Sequence, residues 1–168
     1  GELFIPAHWF EESAAEKRKA VGIPKKRSFQ TKPELGWQMI QRARERHIPF
    51  QAVLMDSLYG RNEALRQRLD QVHLEYYGDV PANTQVYLQR PSIVYPLTQK
   101  RQVPSKNPVV AGAAPYEVQP VGRQASLEWE TIRLRPNERG FLEAQFARCR
   151  VWVAYPGPKV REEWLLIR

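Results

Sequence analysis

Apolar and polar positions follow a helical period in the segment after Thr31. Leu35, Met39 and Ala43 recur on one stripe with Ile40 beside it, and the opposite positions are polar. Residues 31–34 (TKPE) have the spacing of a capping box with a proline in the first turn. The pattern predicts an amphipathic helix that begins just after Thr31.

The period changes in the next segment. Residues 49–55 form a short apolar run, typical of a buried strand, that ends abruptly at Asp56. Asn62 is a good N-cap for a second amphipathic helix, whose apolar stripe is Leu65, Leu69 and Val72. Residues 74–80 predict another strand. Helix, strand, helix and strand with short connections indicate an α/β layer.

The N-terminal segment gives a weaker pattern. Residues 3–5 are a short apolar run ended by Pro6, which predicts the end of a strand that began before Gly1. Residues 8–20 predict a polar helix closed by Gly22 and Pro24.

The second half of the chain differs from the first in composition and periodicity. Nine of the 14 prolines lie from Pro91 onward, and residues 90–124 are Pro-rich, basic and without a period. Residues 127–134 and 141–155 predict strands around a turn, and another strand involves residues 164–167. We predict a partial α/β core over residues 1–89, a Pro-rich basic and β-rich insertion over 90–160, and a strand over 161–168 that returns to the core.

Composition and charge narrow the class of protein. Hydrophobic residues make up 42% of the 168, which is enough for a real core. No apolar stretch approaches the roughly 20 residues of a membrane span. Cys149 is the only cysteine, which fits a reducing cytoplasm and excludes an internal disulfide.

The charge excess lies mostly in the second half. Residues 1–89 carry 13 basic and 11 acidic side chains, and residues 90–168 carry 13 basic and seven acidic ones. This distribution favours a polyanionic partner for the second half, although basic domains often have only solvated positive faces.

Asp56 is the residue that the pattern singles out for chemistry. A carboxylate just beyond a buried strand lies at the rim of a sheet, where the active-site groups of open α/β sheets gather. An aspartate at such a place is also often a helix cap or a turn former, and both interpretations remain open.

Five ordered segments carry a resemblance to a known family. They are residues 2–9 (ELFIPAHW), 22–24 (GIP), 31–43 (TKPELGWQMIQRA), 49–60 (PFQAVLMDSLYG) and 65–69 (LRQRL). Their order and spacing resemble bacterial insertion-sequence transposases of the DDE superfamily, and residues 162–168 (EEWLLIR) resemble the strand that resumes the core of those proteins. The resemblance covers residues 1–89 and the last few residues, and is loose between them.

The resemblance implies a ribonuclease H-like fold with two aspartates and a glutamate that bind two divalent metal ions, usually Mg²⁺ or alternatively Mn²⁺. Asp56 matches the second aspartate and is thereby the catalytic and metal-binding candidate. The resemblance places the first aspartate before Gly1 and the glutamate after Arg168, so the chain alone is expected to bind metal poorly and to be inactive. Four other carboxylates match neither position and are interpreted as surface charges: Glu2, Asp70, Glu162 and Glu163.

The resemblance also implies double-stranded DNA at transposon ends as the partner, a homodimer in the active complex, and no membrane. The insertion would contact the DNA, and the candidates for phosphate contacts are Lys100, Arg101, Lys106 and Arg123. A merely solvated loop is the alternative.

Aromatic and histidine side chains add a few secondary hypotheses. Trp129 and Trp152 could stack on an unpaired base, although their strand context favours core packing. Tyr59 is expected to pack under the turn after Asp56. The three histidines share no metal-ligand spacing and are expected to be surface or capping residues (His8, His47 and His73).

The sequence therefore predicts a fragment of a transposase that cleaves and transfers DNA strands with metal ions. Two alternatives remain: a transposase-derived DNA-binding module without catalysis, and an unrelated α/β scaffold in which Asp56 is only a cap.

Overall fold

The chain divides into two compact units, Gly1–Val80 and Pro81–Arg168. The computed structural model describes residues 3–97, 109–112, 114–123, 126–138, 140–155 and 159–168. Helices and strands occur together, which confirms the α/β class predicted from the sequence.

The first unit contains four helices and two strands among its described residues. Two 3-10 turns, Ala7–Phe10 and Glu12–Ala14, precede helix α1. The remaining elements in chain order are α1 (Ala15–Ala20), α2 (Lys32–Glu45), β1 (Ala52–Met55), α3 (Ser57–Gly60), α4 (Glu63–Gln71) and β2 (Glu75–Gly78). Residues 3–5, which were predicted to end a strand, are in irregular backbone.

Helix α2 begins where its capping sequence predicts. The Thr31 hydroxyl accepts a hydrogen bond from the Glu34 amide at 3.4 Å, and the Thr31 amide donates to the Glu34 carboxylate at 2.7 Å. These two bonds form the capping box, which satisfies amide groups that have no partner inside the helix. Hydrogen bonds from the Thr31 amide and hydroxyl hold the pKa of Glu34 below its ordinary value.

A small apolar cluster holds the first unit together. Leu69 is fully buried, and it packs with Met55 and Leu65 between α4 and β1. On α2 the buried residue is Leu35, with Ile40 packed against the cluster, whereas Met39 is 49% exposed. The buried stripe of α2 is therefore narrower than the predicted one.

Three helices of the first unit are followed, two positions after their last residue, by a residue with left-handed backbone. The residues are Gly22 (φ 75°), His47 (φ 53°) and His73 (φ 54°). After each, the next amide donates back to a carbonyl five residues earlier, as in the bond from Ile48 to Ala43 at 3.0 Å. The prediction that His47 and His73 are surface or capping residues is confirmed, because both are exposed and both follow a helix end.

Replacing His47 with glycine is expected to raise the free energy of unfolding by roughly 0.5–1 kcal/mol, because glycine removes the Cβ clash of left-handed backbone. Urea unfolding followed by circular dichroism measures the change. The matched control is Gly22→Ala, where a Cβ would meet nothing within 4 Å. The control should lose about 1 kcal/mol from backbone strain alone. A loss of stability in His47→Gly would contradict the prediction.

The second unit is mainly a five-stranded sheet. Its strands are β3 (Gln85–Tyr87), β6 (Tyr116–Glu117), β7 (Trp129–Asn137), β8 (Gly140–Tyr155) and β9 (Lys159–Ile167). A separate antiparallel pair joins β4 (Ser92–Val94) to β5 (Val109–Ala111), and a short helix, α5, spans Val118–Val121. Residues 90–124, predicted as irregular, therefore contain short elements in their described part.

Strand β8 is the centre of this sheet. Its 16 residues pair antiparallel with β3, β7 and β9. One face of the sheet contributes to the hydrophobic core of the second unit. Val86 and Val151 of the sheet and Val121 of α5 are almost completely buried there. Cys149 packs against this core, and burial raises the pKa of its thiol. The predicted strands over residues 127–134 and 141–155 correspond to β7 and β8.

The predicted division of the chain at residue 90 stays a prediction. The compact units divide at Val80, ten residues earlier. Strand β9 pairs with β8 from Lys159 to Ile167, so the return of residues 161–168 to the sheet of β1 and β2 also stays a prediction. Among the described residues, no helix is both long and apolar enough to cross a membrane.

Candidate active site

Asp56 lies at the carboxyl end of β1. Strands β1 and β2 pair in parallel, with Met55 opposite Gly78 at the last position of the register. Asp56 follows directly, and its side chain is exposed. The carboxyl edge of parallel strands is where α/β proteins place ligands, because loops there can surround a substrate.

The Asp56 carboxylate is also the N-cap of helix α3. Its Oδ1 atom accepts hydrogen bonds from the amides of Leu58 at 2.9 Å and Tyr59 at 3.2 Å. Both bonds use the same oxygen. Among the described residues, none donates a hydrogen bond to Oδ2. The cap therefore fixes the side chain and leaves one oxygen for a ligand, so capping and metal binding are compatible.

Close backbone packing holds the turn after Asp56 in place. The Gly60 amide donates to the Asp56 carbonyl at 2.7 Å, and the Asp79 amide donates to the Met55 carbonyl at 2.9 Å. A Cβ added at Gly60 would lie 2.3 Å from the Asp79 carbonyl oxygen and 3.0 Å from Gly78. Glycine is needed at position 60 because the end of α3 touches the end of β2.

Tyr59 packs inward, as expected from the sequence. Its ring lies against the cluster of Met55, Leu65 and Leu69 and beside Gly36 of α2. Tyr59 contacts Asp56 through its backbone amide, which donates a hydrogen bond to Oδ1. The ring thus anchors the turn to α2 and to the core.

The family model described as "DDE superfamily endonuclease" matches residues 1–140. The chain belongs to this family. Comparisons with curated proteins and with solved structures found no match. The matched residues include Asp56 and extend well beyond residue 89, where the close sequence resemblance ended, but they do not include the EEWLLIR segment.

Asp79 is a second carboxylate of this DDE endonuclease chain at the same sheet edge. It follows β2 directly, as Asp56 follows β1, and it is exposed. Asp79 was not predicted as a site residue. The signal was its position after the predicted strand over residues 74–80, which becomes meaningful once that strand is known to pair in parallel with β1.

The other available carboxylates lie on separate elements. Asp70 is exposed on α4, and Glu162 and Glu163 lie on β9 of the second unit. Glu2 is outside the described residues. Across the part of the chain that the structure describes, no three His, Cys, Asp or Glu side chains form a group that could hold a metal ion.

Three of the four residues predicted to contact DNA lie outside the described residues. Lys100, Arg101 and Lys106 are outside the described residues. Arg123 is exposed in the turn after α5, where its amide donates to the Pro120 carbonyl at 3.1 Å. The role of all four in binding DNA stays a prediction.

The tryptophans are less buried than their strand context predicted. Trp129 is 41% exposed, so core packing is wrong for this residue. Trp152 is half-buried and lines an open cavity of about 590 Å³. The two lie on opposite faces of the sheet, because Trp129 pairs with Ala147 and Trp152 pairs with Glu162.

An arginine–tryptophan cluster on β8 and β9 was not foreseen. The Arg150 guanidinium lies 4.2 Å from the centre of the Trp164 ring, and that of Arg148 lies 5.4 Å from it. Trp164 is 56% exposed. Residues 141–155 predicted a strand, but only the pairing register with β9 brings these side chains together.

Proposed function

We propose that this chain is part of a DDE transposase that cleaves and transfers DNA strands at insertion-sequence ends. Asp56 is the proposed metal ligand. The observation that carries the proposal is the exposed Asp56 carboxylate, which is fixed through Oδ1 and open at Oδ2 at the carboxyl edge of β1. The family match over residues 1–140 supports it.

The proposed fold of the first unit is a ribonuclease H-like core. The parallel pair of β1 and β2, joined through α3 and α4, is a βαβ unit of the kind that such a core contains. Within the described residues β1 pairs with β2 alone, and Leu54 on β1 is 82% exposed. The open edge of β1 supports a further strand beside it in the complete protein, which would bring the first aspartate of the triad to the same edge. The exposed Leu54 supports an element that covers this face of the sheet.

The donor atoms suit a hard divalent cation. Mg²⁺ prefers carboxylate oxygens and keeps several waters, so one oxygen from Asp56 and one or two from other carboxylates suffice to hold it. We propose that the other two carboxylates belong to parts of the complete protein outside these 168 residues. Bound metal would stabilise the charge that develops on the attacking and departing oxygens of the phosphodiester.

Double-stranded DNA is the proposed substrate. Residues 90–168 carry 13 basic and seven acidic side chains, and this excess suits phosphate binding. Lys100, Arg101, Lys106 and Arg123 are proposed to contact phosphates, which would position the duplex without reading its sequence. A homodimer on paired ends is part of the same proposal.

Metal removal tests the proposed function. The complete protein should nick a duplex that carries the ends of its element in Mg²⁺ or Mn²⁺. Excess EDTA should abolish the nicking, and renewed Mg²⁺ should restore it, because bare carboxylates cannot activate a nucleophile as a metal can. Gel electrophoresis of end-labelled DNA provides the readout.

A matched binding assay separates the alternatives. DNA binding by the 168-residue chain should weaken steeply with salt and should not depend on Mg²⁺, because its basic residues bind phosphates directly. Salt-sensitive binding with no cleavage by the complete protein in either metal would overturn the catalytic proposal in favour of a non-catalytic DNA-binding module.

A further inference from the structure

The outer face of the sheet formed by β8 and β9 carries an exposed aromatic and cationic surface. The register pairs Arg148 with Leu166, Arg150 with Trp164, and Trp152 with Glu162. Paired residues of antiparallel strands point to the same side, so all six lie on the face opposite the valine core. We call this surface the Arg–Trp face, defined by Arg148, Arg150, Trp152, Glu162, Trp164 and Leu166.

The indole of Trp164 is the most accessible aromatic group of the Arg–Trp face. Trp164 is 56% exposed and its neighbour Leu166 is 55% exposed. Burial of a large aromatic side chain contributes favourable free energy, because its apolar surface is removed from water. An exposed tryptophan lacks most of this contribution. A binding partner with a flat apolar surface would recover that loss.

Two guanidinium groups flank the indole. Arg150 lies 4.2 Å from the ring centre and Arg148 lies 5.4 Å from it, both within the range of cation–π attraction. Arg150 also contacts the Glu162 carboxylate, with 3.4 Å between nitrogen and oxygen. These contacts hold the Arg150 side chain close to the ring, so positive charge and stacking surface are presented together.

An open cavity continues the Arg–Trp face. Trp152 and Glu162 form part of its wall, and Arg90 and Ile93 line it from the other side. Its volume is about 590 Å³, within the range of about 300–1,000 Å³ that is usual for ligand pockets. The cavity thus adds a third arginine, Arg90, beside Trp152 of the Arg–Trp face.

We propose that the Arg–Trp face and its cavity bind single-stranded DNA, with a base stacked on Trp164 and phosphates beside Arg148 and Arg150. Proteins that bind unpaired strands combine a positively charged surface with aromatic side chains on which bases stack. A duplex offers phosphates but no free base face, so an exposed indole has little use in duplex binding.

Charge complementarity favours a nucleic acid over a second copy of the chain. The pairing register places Arg135, Arg148 and Arg150 on this side of the sheet together with Glu117, Glu130 and Glu162. Arg90, which lines the adjoining cavity, adds a fourth cation. Residues 90–168 as a whole have a net charge of +6, from 13 basic and seven acidic residues. Two such faces would repel each other, whereas a DNA strand would be attracted.

The inference rests on the proposed DNA substrate and names the form of DNA that this surface takes. A protein that cuts DNA strands produces ends whose terminal bases can leave the stack. The Arg–Trp face could hold such a base without metal ions. The proposed cleavage at Asp56, in contrast, requires them.

The test is fluorescence anisotropy of a labelled 20-nucleotide oligo(dT) with the 168-residue chain, in EDTA and at low salt. Trp164→Ala is expected to weaken binding by about tenfold or more, within the range that stacking of one base provides. Trp164→Phe should keep most of the affinity. Arg150→Lys should lose part of it, because lysine keeps the charge but not the planar guanidinium.

Trp129→Ala is the matched control. Trp129 is also an exposed tryptophan of the same sheet, but it lies on the opposite face. Its replacement should leave the affinity for oligo(dT) unchanged. Circular dichroism should show that each variant keeps the fold, and equal weakening by both tryptophan variants would overturn the proposal.

An oligonucleotide with abasic sites distinguishes stacking from phosphate binding. It keeps the phosphates and lacks the bases, so it should bind the unaltered chain about as weakly as oligo(dT) binds Trp164→Ala, and the substitution should then cause little further loss. Equal affinity of the unaltered chain for both oligonucleotides would overturn the stacking role.

Two other results would also overturn the inference. One is that the chain binds a duplex of the same length more tightly than oligo(dT). The other is a concentration-dependent dimer, seen in sedimentation experiments, that Trp164→Ala dissociates. Such a dimer would make the face a self-association surface. Asp56→Asn should have no effect on oligo(dT) binding. Loss of metal-dependent cleavage and loss of single-strand binding can therefore be told apart.

Discussion

Replacing Asp56 with cysteine is expected to abolish strand cleavage by the complete protein in Mg²⁺ and to restore part of it in Mn²⁺. A thiolate is a soft ligand that Mg²⁺ binds poorly, whereas Mn²⁺ accepts it more readily. In Mg²⁺ the cleavage rate should fall by at least about 10³-fold, because a catalytic metal contributes several kcal/mol to the stability of the transition state. Single-turnover nicking of end-labelled DNA in each metal provides the measurement.

Asp56→Asn separates the metal-binding role from the capping role. Asparagine is as good an N-cap as aspartate, so its side-chain oxygen can still accept from the Leu58 and Tyr59 amides. Its NH2 group then takes the place of Oδ2, and an amide nitrogen does not bind Mg²⁺. We expect Asp56→Asn to be as defective in cleavage as Asp56→Cys in Mg²⁺, with stability within a few tenths of a kcal/mol of the unaltered protein.

Two controls complete this experiment. Asp56→Ala removes both roles and should also lose about 1 kcal/mol of stability. Asp70→Asn removes a carboxylate from the exposed side of α4 and should cleave at the normal rate. Normal cleavage by Asp56→Asn would show that Asp56 is only a cap. Absence of Mn²⁺ rescue in a folded Asp56→Cys protein would contradict direct metal ligation.

Local features of the first unit could be predicted from the sequence because they depend on neighbouring residues. The capping box at Thr31, the Asn62 cap and the short strand before Asp56 each require only a few adjacent side chains. Asp56 stood out for the same reason, since a carboxylate at the end of an apolar run is visible without knowing which strands pair.

Features that depend on pairing could not be predicted. Asp79 gains its place beside Asp56 from the parallel register of β1 and β2, which no local pattern specifies. Trp164 meets Arg150 only through the antiparallel register of β8 and β9. The exposure of Met39 has the same origin, because the cluster of the first unit is small and α2 packs against it with Trp37 and Ile40.

Gly60 lies in α3, within the turn after Asp56, and it also contacts the end of β2. Its replacement therefore tests how much this contact stabilises the first unit. Gly60→Ala is expected to lower the free energy of unfolding by about 3 kcal/mol, at the upper end of the usual cost of overpacking. A Cβ at this position would lie 2.3 Å from the Asp79 carbonyl oxygen, and a backbone atom cannot move aside as a side chain can. Urea unfolding followed by circular dichroism measures the loss.

Gly36→Ala is the matched control for steric overlap. Its Cβ would lie 3.1 Å from the edge of the Tyr59 ring, which can shift by the small amount required. Alanine also favours a helix over glycine by about 1 kcal/mol, so this variant should be near neutral. Equal stability of Gly36→Ala and Gly60→Ala would contradict the close contact between α3 and β2.

The same contact predicts a catalytic consequence of Gly60→Ala. To accommodate the methyl group, α3 must move away from Asp79, and Asp56 must move with it because its Oδ1 is bound to the first amides of α3. A displacement of about 1 Å in a catalytic group can cost roughly 100-fold in rate. At a temperature where the variant stays folded, cleavage by the complete protein should therefore fall far more than DNA binding. Proportional losses of both would indicate global unfolding instead of a displaced carboxylate.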